Sequence, residues 1–148
     1  MNVKTQQIPA MTIVGMNIRT KPLSPEIPAL WPKFVARIPE IENPAEKFVA
    51  YGVMRPQPDA LLYLAGVSVA KQGRIPDGME SVTIPAGTYA VFSYPISQLG
   101  KGFGEIYQQI LPKSGLRVLP GPSLERYGED FKAQDPQSPV GIWIPVSA

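Results

Sequence analysis

Short apolar runs separated by prolines set the rhythm of this chain. Met11 to Thr20 (MTIVGMNIRT) is apolar and partly β-branched, which predicts a strand. Ser24, Pro25 and Glu26 then form a helix-start signal. Leu30, Trp31, Phe34, Val35 and Ile38 follow at helical spacing, with Pro32 among them as a late start or kink and Pro39 as the stop. Phe48 to Arg55 and Leu61 to Ala70 predict two strands joined by the turn Pro56 to Asp59, hence a hairpin. Lys71 to Gly78 is a polar loop. Val82 to Tyr94 predicts one long strand with a bulge or break at Pro85 and Gly87. Gly100 to Gly104 reads as a flexible lead-in to a short helix carrying Ile106, Tyr107, Ile110 and Leu111, closed by Pro112 to Gly115. Leu124 to Asp130 and Val140 to Ser147 predict the last two strands.

The order is β-α-β-β twice, and residue identities repeat with it. Ile8-Pro-Ala-Met-Thr12 matches Ile84-Pro-Ala-Gly-Thr88, Trp31 matches Tyr107, and Tyr51-Gly52 matches Tyr127-Gly128, all at one ungapped offset. The expected fold is α+β: a duplicated β-α-β-β unit with pseudo-twofold symmetry, with repeats over about 6–70 and 80–148 of one domain spanning 1–148. A single unit has one helix on one face of a small sheet and cannot close a core. Two units can join their sheets into an antiparallel sheet whose two helices flank a cleft.

Composition narrows the chemistry. Apolar residues make up 44% and charged residues 18%, which is globular rather than disordered. Prolines number 18 in 148 residues, more than twice the usual share of about 5%, and they lie between the apolar runs as punctuation. The 14 basic residues are scattered and the net charge is +2, so no nucleic-acid surface is expected. Absence of cysteine excludes disulfides and thiolate metal sites, and absence of histidine removes Ser-His-Asp and Cys-His catalysis. Any catalysis would have to use carboxylates, lysine, tyrosine or bound water. No metal or cofactor is expected. The N-terminus lacks a signal-peptide pattern, and no apolar run reaches the roughly 18 residues of a membrane span, so the expectation is a cytoplasmic protein without membrane contact.

Candidate chemistry gathers at Leu124-Glu-Arg-Tyr127. On a strand, Glu125 and Tyr127 share a face, and the repeat sets Tyr51 in the place of Tyr127. That pattern predicts tyrosine repeated on one face, with a carboxylate in one half only. In a cleft, such a lone charge among rings favours a cation. On spacing alone, however, the plainer reading of Glu125 is a solvated strand carboxylate. The plainer reading of Trp31, Phe34, Tyr63, Tyr89, Phe92, Tyr107 and Trp143 is core.

Several segments together resemble the gyrase-inhibitor-like small-molecule-binding domains. They are Ile27-Pro-Ala-Leu-Trp31, Tyr51-Gly-Val53, Tyr63-Leu-Ala-Gly-Val67, Ile84 to Phe92, Ile106-Tyr107 with Leu111 to Gly115, Leu124 to Tyr127, Asp135-Pro136 and Ile142 to Val146. This family also supplies the effector-binding part of AraC-type and MerR-type multidrug-sensing regulators. The resemblance implies a pocket for amphipathic, cationic aromatic compounds, with Glu125 as the buried glutamate. It implies Trp143, Tyr127, Tyr51, Trp31 and Tyr107 as pocket aromatics, with Tyr63 and Phe92 beside them. Two alternatives stay open: a hydrolase of electrophilic, cyclopropane-type natural products using Glu125, and a gyrase-interacting or other protein-interaction module. The expected form is a stand-alone module, since no helices are left for a DNA reader. A free sheet edge would offer a route to a homodimer or a partner protein.

Overall fold

A computed structural model describes residues 3–148. The elements run β1 (Thr5–Ile8), β2 (Met11–Thr20), α1 (Glu26–Val35), a 3-10 turn (Ile38–Glu40), β3 (Ala50–Gln57), β4 (Ala60–Val69), β5 (Glu80–Ile84) and β6 (Gly87–Pro95). Next come α2 (Leu99–Glu105), a π-helical turn (Ile106–Ile110) and α3 (Leu111–Ser114), which form one continuous helical segment, then β7 (Arg117–Val118), β8 (Ser123–Tyr127) and β9 (Pro139–Ser147). The fold is α+β, with every strand pairing antiparallel.

The strands lie in the order β1-β6-β9-β8-β3-β4-β2-β5, with β7 added beside β9. This order reads the same from either edge once β1 is matched to β5, β2 to β6, β3 to β8 and β4 to β9. The duplication is therefore carried by the topology, with its twofold axis between β3 and β8. Each half begins with one strand more than the sequence pattern suggests. The expected long strand from Val82 to Tyr94 is two strands at opposite ends of the sheet: β5 pairs β2, whereas β6 pairs β1 and β9.

That split dictates the sheet's shape. Only Pro85 and Ala86 separate β5 from β6, and only Pro9 and Ala10 separate β1 from β2. Two intervening residues leave three Cα–Cα steps, at most about 11 Å, so the sheet must curl until its edges meet. Ile8 on one edge and Ile84 on the other accordingly share one cluster with Ile13, Tyr51, Val53, Leu64, Tyr89 and Leu124. These side chains fill the inner face of the curl. Burying each aliphatic one stabilises the fold by roughly 1.5–3 kcal/mol.

The helices cover the outer face. Leu30 and Phe34, one turn apart on α1, pack over Val14, Tyr63, Ala65 and Val67 of the first half. Ile106 and Leu111 pack over Ala90, Ile142, Ile144 and Val146 of the second half. The expected flexible lead-in at Gly100 to Gly104 is helical: an added Cβ on Gly102 would come within 2.7 Å of the Tyr94 ring, so this glycine lets α2 lie directly on β6. The strand expected to run to Asp130 stops at Tyr127, where Phe131 N–H closes a turn on the Gly128 carbonyl.

Candidate functional site

The central strands β3 and β8 carry the outer face between the two helix-covered halves. Their register sets Gly52 opposite Glu125 and Ala50 opposite Tyr127. Side chains directly opposite in an antiparallel pair point the same way, so Glu125 and Tyr127 share the outer face. Tyr63 reaches it from β4. Its hydroxyl donates to Glu125 Oε1 at 2.6 Å, and the Tyr127 hydroxyl donates to the same oxygen at 2.9 Å. Trp31 Nε1 from α1 donates to the Tyr63 hydroxyl at 3.0 Å, completing a chain from indole to phenol to carboxyl.

A glycine makes this arrangement possible. A Cβ at position 52 would lie 2.2 Å from the Tyr63 hydroxyl and 2.7 Å from Glu125 Oε1. The tyrosine–glutamate hydrogen bond occupies the space a side chain would take. A glycine inside a strand marks such close approaches, and this was the available sequence signal for Gly52. Phe131, which packs edge-on against Tyr127 at 4.9 Å, carried none. Trp31 also meets Tyr127 edge-on at 4.9 Å and Tyr63 at 6.5 Å.

Glu125 is only 5% exposed. Among the described residues no lysine or arginine lies within 4.0 Å of it. Burial pushes its carboxyl above the ordinary range, and the hydrogen bonds from Tyr63 and Tyr127 only partly oppose that shift. Burial and the adjacent carboxylate also hold the Tyr63 and Tyr127 hydroxyls far above the usual phenol range, so both remain donors. Both phenols go to Oε1, and no protein donor among the described residues reaches Oε2. Chemically this is a desolvated, titratable carboxyl with a free oxygen, walled by aromatic rings and lacking a cationic partner.

The remaining expected aromatics separate into two groups. Tyr107, on the π-helical turn, is 44% exposed as a residue and turns its hydroxyl toward Ser123, at the start of the strand that bears Glu125; burial of that hydroxyl raises its pKa. Tyr107 thus stands beside the outer face of β8, on the second-half side. Phe92 lies on the outer face too, but packs in the cluster beneath α2 and α3. Tyr51 and Trp143 are on the inner face. Tyr51 pairs with Arg126, not Tyr127, and Trp143 pairs with Leu124. The expected repetition of tyrosine on one face is therefore not realised, because neighbours along a strand alternate faces.

Tyr51 and Trp143 belong instead to a second polar cluster that sequence reasoning missed. The Tyr51 hydroxyl donates to Glu46 Oε1 at 2.7 Å, as does Ser68 Oγ at 2.8 Å. Arg126 Nη2 lies 3.2 Å from Glu46 Oε2, and its guanidinium stands 5.7 Å from the centre of the Trp143 ring. Burial and Glu46 push the Tyr51 hydroxyl up to about 12. Glu46 stays below the ordinary carboxyl range because hydrogen bonds from Tyr51, Ser68 and Arg126 outweigh its burial. Among the described residues no three acidic side chains converge as a metal site, and no helix is long and apolar enough to cross a membrane.

Comparison with known proteins agrees with this architecture. Residues 1–147 match the sequence model of the GyrI-like small molecule binding domain. The transcriptional regulator BrlR of Pseudomonas aeruginosa is 32% identical over 99% of this chain, which spans 56% of that regulator's length. In three dimensions the chain is similar over its full length to 95% of SAV2435 bound to tetraphenylphosphonium, with a TM-score of 0.79 at 19% identity. It is similar over 99% of its length to 97% of the EcmrR C-terminal domain, with a TM-score of 0.70 at 15% identity. The chain belongs to the GyrI-like small-molecule-binding domain family.

Proposed function

We propose that this domain binds an amphipathic aromatic cation on the outer face, between α1 and the π-helical turn, with Glu125 as the charge-selecting group and Trp31, Tyr63, Tyr127 and Tyr107 as the aromatic walls. The observation that carries this reading is the buried carboxyl without a basic partner. An ionised glutamate in that position is costly until an opposite charge arrives. A cation supplies the missing partner through Oε2, and the ring faces add cation–π attraction and apolar contact. The polar edges of these rings are already engaged within the protein, so what they present around a single fixed charge selects for charge and hydrophobic area more than for a particular outline. That suits a range of lipophilic cations. The ligand-bound relative supports the reading by analogy, since the compound it holds is a lipophilic aromatic cation.

The test is a fluorescence titration with tetraphenylphosphonium and neutral triphenylphosphine oxide. Trp143→Phe leaves Trp31 as the single reporter, since the chain has two tryptophans. Saturable quenching by the cation, weakened by about tenfold or more in Glu125→Gln, supports the proposal. Equal affinity for the neutral oxide, or no change in Glu125→Gln, overturns it.

A further inference from the structure

The inner face holds a hollow of about 430 Å³ at the end of the curl, between β1, β6, β8 and β9. Its size is within the range of small-molecule sites. Arg126 and Trp143 line it, together with Phe131 from the turn after β8 and Lys4 and Gln6 beside the edge strand. Glu125 and Arg126 are consecutive on β8, so this hollow lies on the sheet face opposite to Glu125.

The guanidinium of Arg126 is only partly used. Nε donates to the Tyr51 hydroxyl at 3.4 Å and Nη2 to Glu46 at 3.2 Å, while Nη1 has no acceptor among the described residues. Nη1 lies against Gly128, where an added Cβ would be 3.1 Å away, and Gly128 itself lines the hollow. The floor therefore offers a fixed guanidinium edge beside an indole ring, with Lys4 and the Gln6 amide as further donors. Glu46 and Tyr51 hold that edge in place from behind, so little side-chain freedom is lost when an anion docks. Glu129 and Asp130 also line the hollow but are exposed, so water and salt screen them. Their reduced repulsion acts on every negative charge that an anion brings, so it grows with the charge of the ligand.

We infer that this hollow is a second ligand site, which takes a flat aromatic monoanion such as an arylcarboxylate. The carboxylate meets Arg126 Nη1, and the ring lies against Trp143 and Phe131. The exposed acids at the rim disfavour polyanions such as phosphate chains. The inference does not rest on the cation reading, since it concerns other side chains and a ligand of opposite charge.

The experiment uses the full chain with Trp31→Phe, which leaves Trp143 as the reporter. The probes are para-nitrobenzoate, a quencher, and its neutral twin para-nitrobenzamide. The expected result is saturable quenching of Trp143 by the carboxylate, with the amide binding about tenfold more weakly. Arg126→Lys keeps a positive charge beside Glu46 but loses the fork, and is expected to cost about tenfold in carboxylate affinity. Gly128→Ala, whose Cβ would stand 3.1 Å from Nη1 and cover its approach, is expected to weaken binding while leaving the Glu46 pair intact, and it serves as the test should Arg126→Lys fail to fold. Absence of saturable quenching, equal affinity for the amide, or full affinity in both variants overturns the inference. Failure of tetraphenylphosphonium to bind would leave it untouched.

Discussion

Glu46 and Glu125 each accept a short hydrogen bond from a tyrosine, at 2.7 Å from Tyr51 and 2.6 Å from Tyr63. They lie on opposite faces of the same curled sheet, and their chemistry diverges. Glu46 is half-buried and paired with Arg126, and its carboxyl is held below the ordinary range. Glu125 is buried with no cation beside it among the described residues, and its carboxyl is driven above that range. A phenol donor alone does not settle the ionisation of a carboxyl in a protein interior. The presence of a counter-charge and the loss of water decide it. One face has an internal ion pair, and the other holds a carboxyl with no counter-charge among the described residues.

The largest expected effect comes from removing the space that the outer pair needs. Gly52→Ala puts a Cβ into the Tyr63 hydroxyl and Glu125 Oε1, and neither group can retreat from a packed floor. The expected loss is about 3 kcal/mol of folding stability in denaturant unfolding, together with loss of tetraphenylphosphonium binding. A substitution with unchanged stability would mean that Tyr63 and Glu125 do not occupy that space.

Next is the pH dependence of stability, where the two carboxyls act with opposite sign. The carboxyl of Glu125 is raised on folding. Its contribution is therefore complete below the ordinary value of 4.5 and is lost as pH rises through the raised folded value. Glu46 is lowered on folding. Its contribution is present above 4.5 and is lost as pH falls through the depressed folded value. Glu125→Gln should flatten the stability profile on the alkaline side of 4.5, and Glu46→Gln on the acid side. Denaturant midpoints measured across that range check both; identical profiles for the two variants would contradict the contrast.

Smaller effects follow. Glu46→Gln at neutral pH leaves Arg126 without its anion and should cost about 1 kcal/mol, a figure already reduced for the solvent that reaches this pair. Tyr127→Phe removes one of two donors to Oε1 and should cost less than about 1 kcal/mol, while raising the Glu125 carboxyl further. Carbon-13 NMR titration of Glu125 in that variant reads the second effect directly.

Local pattern carried much of the fold. Strand β2 has the limits its apolar run predicts, and the Pro56 to Asp59 turn does join a hairpin of β3 and β4. The matched Ile-Pro-Ala segments sit at the two edges of the curl, where both halves need the same two-residue crossing. Long-range pairing was not legible. Nothing local tells that Ile84 and Gly87 belong to strands at opposite ends of the sheet. The register between β3 and β8 gives Tyr51 to the inner face, which makes its match with Tyr127 a coincidence of identity. The same register brings Glu125, Tyr63, Tyr127 and Trp31 together, four of the eight residues named from the sequence. Glu46 was silent because its partners Ser68 and Arg126 are distant along the chain. The glycines of α2 read as flexible because propensity ignores the Tyr94 ring on which Gly102 packs.

The most direct test of a charge-selecting Glu125 is calorimetric titration of tetraphenylphosphonium from about pH 4.5 to about pH 8, on wild type and Glu125→Gln. A cation favours the ionised carboxyl, so wild-type affinity should rise as pH climbs through the raised pKa of Glu125, with proton release on binding. In Glu125→Gln that dependence should vanish and affinity should stay low throughout. Matching pH profiles in the two proteins would contradict Glu125 as the group that meets the cation.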